Sequence, residues 1–422
     1  MAESSGITRG PRVSRVTEYG GRDSTLLEHD SIRVLINDQG GMIPELSSIR
    51  GKEGINAHWI PWFRSGQGGA FTEAEHGAFW KANLLYHLAG NFPCAPNFGP
   101  GHLVDGVTMP PHGWTANLPW KFIKSGIDEE SGAAWACSTL ESPDKALPLF
   151  FQKLDALIPG HPVHYTGLTI YNRGGKDISI CAGQHNTLGA PLVQSGCRIS
   201  GAAHAWATPP AGGEFDTTTR LVLGAEFKTL DQAPLARGGT VDISLVPGPI
   251  GYTDFAAGAI PPTARLGWLA LVNPPLKLAY VCFFTGPAAR EADDIIFYFN
   301  DLWMQYGGRP FTPWAAYEGG TDLSYCLGME NSVAAYAYGL EYSRQVKTLL
   351  GAPATAAIPA GGAKTLRYGS LFAPYDEAGL DQGITNIEGE ISELVCTGKA
   401  KSQRFKADPA FTLLKGLQRR YG

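Results

Sequence analysis

The feature that most constrains this 422-residue chain is a train of short segments, from about residue 133 to 290, in which apolar and polar residues alternate. Ala133–Leu140, Phe150–Leu157, Val163–Asn172, Asp177–Gly183, Val241–Val246 and Lys277–Phe284 are all flanked by Gly, Pro, Asn or Asp. A period of two fits strands whose faces meet different environments, and the flanking residues supply turns. Strands repeated at this spacing predict a large antiparallel β-sandwich, an all-β fold. The 53 Gly and 30 Pro are scattered rather than clustered, as many short strands require.

The flanks are less regular. Residues 1–20 read as a polar arm. Ser31–Asn37 and Met42–Ile49 read as a hairpin around Gly40-Gly41. Residues 56–120 hold five His and five Trp with little periodicity, which suits a functional loop set. Ala288–Gln305 fits a helix or a strand plus turn, Asn331–Leu350 has helical spacing, and Thr365–Phe372 reads as the final strand. Beyond residue 375, Ile384, Ile387, Ile391 and Leu394 are spaced like one face of a helix, and Ala410–Tyr421 reads as another. The expected organisation is an arm (1–20), a sandwich domain (21–375) and a short helical C-terminal appendage (376–422).

A hydrophobic fraction of 44% against 17% charged residues excludes a disordered chain. The net charge of −5, without a basic stripe, excludes nucleic acid as the expected partner. Seven Cys at irregular spacing, with no CxxC pair, predict reduced buried thiols rather than a disulfide framework or structural zinc. The first residues lack the apolar core of a signal peptide, and no run approaches a membrane span. A soluble, cytoplasmic protein is the default expectation; the oligomeric state is left open.

Three segments could carry chemistry. The first runs from Asn91 through Asn97 and His102 to His112-Gly113-Trp114, Asn117 and Trp120; its prolines and glycines can fix a loop that presents His112 and Trp114. A Trp face suits the C–H face of a sugar ring. The same stretch also fits a structural loop with a surface His. The second is Gly183-Gln184-His185-Asn186, a His at a strand end, which either faces a cleft or is satisfied by backbone. The third is Gly328-Met329-Glu330-Asn331. A lone Glu in an apolar strand is costly to bury unless bonded or needed, and burial raises its pKa towards that of a general base. It could equally cap the following turn.

These segments, in this order, resemble the aldose 1-epimerase (galactose mutarotase) family, over roughly residues 30–375. His112-Gly113-Trp114 with Asn117 and Trp120 is similar to the family's HG motif; Gly183-Gln184-His185 and Gly328-Met329-Glu330-Asn331 are similar to its later His and Glu motifs. The resemblance implies a galactose mutarotase-like supersandwich that interconverts sugar anomers. It implies Glu330 as base, His185 as acid on the ring oxygen and His112 as hydroxyl ligand or second donor, with carboxylate and imidazole on opposite sides of the ring. Trp114, Asn97, Asn117, Gln184 and His102 become the expected substrate-binding residues. No metal or organic cofactor is implied, and the partner is a small sugar or glycoside. The chain departs from the family in having Ala116 where many members have Arg, and Asn331 in place of a Pro. Rival expectations are a lyase or hydrolase acting on a glycoside or oxidised sugar, a non-catalytic sugar binder, and a metal site built from His102, His112, His185 and Glu330.

Overall fold

The computed structural model describes residues 10–18, 21–30, 32–48, 54–61, 69–307, 309, 312–314, 325–376 and 378–422. Residues 1–9 and 19–20 of the expected arm, and Ser31, Ile49 and Trp62, lie outside them.

Two large sheets dominate. A nine-stranded sheet runs in the order Leu245–Val246, Cys197–Gly201, Leu266–Asn273, Leu278–Thr285, Ala363–Pro374, Val163–Asn172, Leu149–Leu157, Ala134–Glu141, Lys121–Ile127. An eight-stranded sheet runs through Thr253–Ala259, Phe299–Gln305, Cys326–Val333 and Ala182–His185 to Phe92–Cys94 at its end. Their ladders are antiparallel. Alternation explains how they pack. Leu269, Leu271 and Phe372 of the first sheet share one buried cluster with Leu302, Met304, Leu327 and Met329 of the second. The residues between them, Asp301, Trp303, Gly328 and Glu330, therefore point to the opposite face of the second sheet.

Three sequence expectations change, and one open alternative resolves. Arg12–Glu18 is a strand, paired with Arg22–Glu28 at the edge of a four-stranded sheet that includes the expected Ile32–Asn37/Glu45–Ser48 hairpin. A polar stretch forms a strand here because its partner supplies the ladder. Ala288–Gln305 resolves into a short 3-10 turn and the strand Phe299–Gln305. Asn331–Leu350 is not one helix: the strand Cys326–Val333 ends, Gly339 turns at φ 92°, and only Leu340–Val346 is helical. The C-terminal appendage is mostly sheet. Asn386–Gly389, Glu393–Thr397 and Ser402–Lys406 form three antiparallel strands, and only Thr412–Tyr421 is an α-helix. Ile391, expected on an apolar helix face, is 99% exposed at the turn. The helical spacing came from residues of different local structure: Ile387 and Leu394 lie in two separate strands, Ile384 before the first and Ile391 at the turn between them.

This C-terminal unit covers the outer face of the nine-stranded sheet. Leu394, Phe405, Phe411, Leu414 and Leu417 pack with Leu154, Tyr165, Trp268 and Phe283. Tyr421 stacks on Trp135 at 3.9 Å, and Arg420 and the Tyr421 hydroxyl donate to Asp128. All seven cysteines are buried. No helix among the described residues is long and apolar enough to cross a membrane.

Candidate active site

Strand register builds the site. Ala257 pairs with Asp301, and Asp301 with Glu330. Gln184 pairs with Asn331, which sets His185 beside Glu330, and His185 pairs with Phe92. One row across five strands thus reads Ala257, Asp301, Glu330, His185, Phe92. His185 Nε2 lies 3.1 Å from Glu330 Oε1, Nδ1 lies 2.9 Å from Thr187 Oγ1, and the ring stacks on Phe92 at 4.5 Å. Both edges and one face of the imidazole are therefore fixed. Gly328 clears room for the carboxylate: a Cβ there would fall 2.4 Å from Glu330 Oε1.

His112 arrives from a loop. It caps the short helix Gly113–Asn117 in the left-handed region, at φ 58°, ψ 17°, a conformation costly for a side chain other than Gly. Its N–H donates to Gly99 O at 2.8 Å. Gly113 follows at φ 77°, where a Cβ would stand 2.3 Å from Ala95 O, so the His-Gly pair is a backbone requirement as much as a chemical one. The His112 ring meets His185 edge-on at 5.0 Å and is flanked by Phe92 and Phe98.

The electrostatics follow from burial. Glu330 is 2% exposed, and burial, reinforced by Asp301 and Glu214, raises its pKa well above the ordinary carboxylate value. Burial, reinforced by His112, lowers His185 well below an ordinary imidazole, and burial alone lowers His112 to about 4. Asp301 is fully buried and raised to about 7, although Ser332 Oγ donates to its Oδ2 at 2.5 Å. The site is thus two carboxyls and two imidazoles for which charge is expensive.

His112, His185 and Glu330 line a cleft of about 560 Å³, shared with Trp303, Trp314 and Arg309. The Arg309 guanidinium lies over Trp303 and Trp314, 5.0 and 4.9 Å from their ring centres, and is 3.5 Å from Glu214 Oε1.

The structure does not bring the five expected substrate-binding residues to this wall. Trp114 is 2% exposed and packs in the core. Trp114 sits two residues past His112, inside the short helix that His112 caps, and turns inward where His112 faces the cleft. Asn97 donates to Pro100 O and accepts from Leu340 N, and Asn117 donates to Pro111 O and Gly113 O. Gln184 donates to Asn91, pointing opposite to His185. His102 bonds Pro100 O and accepts from Glu341 N. These side chains brace the loop. Among the described residues, no three His, Cys, Asp or Glu side chains are grouped to hold a metal ion. Two further features differ from expectation: the cleft tryptophans are Trp303 and Trp314, and His185 and Glu330 stand side by side rather than across a ring. The signal for Asp301 and Trp303 was alternation in a strand next to the Glu330 strand, visible only once that pairing is known.

With this geometry in place, comparison with solved structures is informative. The chain superimposes on a Klebsiella pneumoniae protein proposed to be an aldose 1-epimerase with a TM-score of 0.59, 12% identity, and coverage of 87% of this chain and 88% of that one. A galactose mutarotase-like protein from Clostridium acetobutylicum gives 0.57 at 11% identity, covering 87% and 99%. A proposed mutarotase from Salmonella typhimurium gives 0.52 at 12%, covering 87% and 95%. The fold is that of the galactose mutarotase-like proteins. No protein-family model matches the chain, and no curated protein is similar to it in sequence. At such identities the galactose mutarotase-like fold is shared while the site must be read from its own residues.

Proposed function

We propose that this protein is an aldose 1-epimerase-like isomerase that interconverts sugar anomers by acid/base catalysis at Glu330, His185 and His112. The observation that carries the reading is the 3.1 Å contact between His185 Nε2 and Glu330 Oε1 on the wall of a sugar-sized cleft. In a hemiacetal the ring oxygen and the anomeric hydroxyl share one carbon, so an acid and a base held side by side can address both. Burial favours the neutral pair, with the proton on Glu330; once that proton crosses the 3.1 Å contact to His185, Glu330 accepts the anomeric proton while His185 protonates the ring oxygen, and the bond between C1 and the ring oxygen breaks. The open-chain aldehyde rotates. It closes on the other face as Glu330 returns a proton to the carbonyl oxygen and His185 takes one from the attacking hydroxyl. Glu330 gives back the proton it took and His185 recovers the one it gave, so the pair ends as it began. Burial supports this, because neither group gains by holding charge for long.

His112 holds a hydroxyl, and Asp301 acts through Glu330 as a positioning residue that keeps it basic. The test is anomer exchange by NMR on a panel of free sugars, with and without a chelator. Exchange unaffected by chelation supports the scheme; loss on chelation would move the reading to the metal-site rival. Cleavage of glycosides without exchange would move it to the lyase or hydrolase rival.

A further inference from the structure

The cleft has more apolar wall than a bare sugar can use. Leu84, Leu85 and Leu88, on and next to the helix Asn83–His87, line it with Phe92, Phe215 and Phe255. Phe215 and Phe255 are 3% and 2% exposed and pack on each other at 5.2 Å, so this wall is deep rather than a surface patch. Several polar groups nearby are committed elsewhere. Thr187 Oγ1 bonds His185, Glu214 pairs with Arg309, and the Tyr338 hydroxyl donates to Pro210 O. A free hexose carries a hydroxyl on nearly every carbon, and each one buried against Leu or Phe without a partner is penalised. The volume of about 560 Å³ lies within the range (~300–1,000 Å³) of pockets that enclose drug-sized ligands.

Resting on the sugar-site reading above, we infer that the ligand is a sugar bearing an apolar alkyl or aryl substituent, with the sugar at His112, His185 and Glu330 and the substituent against the leucine and phenylalanine wall. The chemistry of the two regions divides the ligand in this way: proton transfer needs the hemiacetal beside the acid/base pair, and the leucine and phenylalanine wall stabilises carbon.

The experiment measures binding by Trp303 and Trp314 fluorescence for D-glucose, D-galactose and D-mannose, each beside its octyl glycoside and its 6-O-octanoyl ester. About two buried methylenes correspond to about ten-fold in affinity. At least one alkylated probe is therefore expected to bind about ten-fold or more tightly than its parent. Leu85→Gln, at a half-buried position that tolerates a polar residue, is expected to shrink that ratio, as is Phe215→Asn. Equal or weaker binding of every alkylated probe overturns the inference, as does a ratio unchanged in both variants. Anomer exchange separates this outcome from the fate of the catalytic reading. Exchange on free sugars without alkyl preference keeps the isomerase and removes the apolar substituent. Alkyl preference without exchange does the reverse.

Discussion

At the scale of single residues, the site is a problem of where one proton resides. Replacing Glu330 with Gln keeps the shape and removes the base. Turnover in anomer-exchange NMR should fall by at least ~10²-fold, the usual contribution of a positioned acid or base, while sugar affinity stays within a few-fold. Shortening His112 to Ala should instead weaken binding along with rate, because a group that holds a hydroxyl in both ground and transition states raises KM. Asp301→Asn tests the neighbour. Its carboxylate raises Glu330, so its removal lets Glu330 ionise at lower pH, and the acid limb of kcat/KM should move down. The same variant has a stability signature. An Asp raised from 3.8 to about 7 keeps its proton in the folded state after the unfolded chain has lost it. Wild type is therefore progressively destabilised as pH rises from about 4 to about 7, while the variant is not. The difference in Tm, variant minus wild type, should grow across that window; a pH-independent difference would remove Asp301 from the proton scheme.

At the scale of elements, the strands teach what a sequence can reveal. Ala134–Glu141, Leu149–Leu157 and Val163–Asn172 were legible because each is a short run of mixed apolar and polar residues that ends at turn residues. The C-terminal strands were not. Ile384, Ile387, Ile391 and Leu394 fall at helical intervals, yet belong to different pieces of a small sheet, and only pairing partners distinguish the two. The site shows the same division. His112, His185 and Glu330 stood out as polar residues in backbone settings with a local signature. Asp301, Trp303 and Arg309 did not, because their roles come from cross-strand register and from a loop that returns to the cleft. Trp114 was misplaced because adjacency in sequence does not mean a shared face in a helix. Gly328 offers a test at this scale. In Gly328→Ala the new methyl meets the Glu330 carboxylate, not backbone, so the strand can form while the carboxylate shifts from His185. Turnover should fall by about ten-fold or more, since catalytic geometry is sensitive to displacements of ~1 Å, with far-ultraviolet circular dichroism unchanged. Retained turnover would mean that the His185 contact is dispensable.

At the scale of the whole molecule, the nine-stranded sheet is covered on both faces, by the second sheet within and by the C-terminal unit outside. Deleting residues 412–422 uncovers Trp135 and removes the buried Leu414 and Leu417. At ~1.5–3 kcal/mol for each leucine, a loss of about 3–6 kcal/mol in unfolding free energy is expected by denaturant titration. An unchanged midpoint would make the appendage a passive tail.

The row that joins Phe92, His185, Glu330 and Asp301 draws its members from points scattered across most of the chain. No fragment that lacks one of these strands can present all four at the right spacing. Enzymatic turnover is thus a readout of completed architecture. During refolding it should return with the last long-range strand pairing, later than bulk secondary structure. Two separately produced pieces of the polypeptide, each inert, should regain turnover only when mixed and re-annealed into the whole.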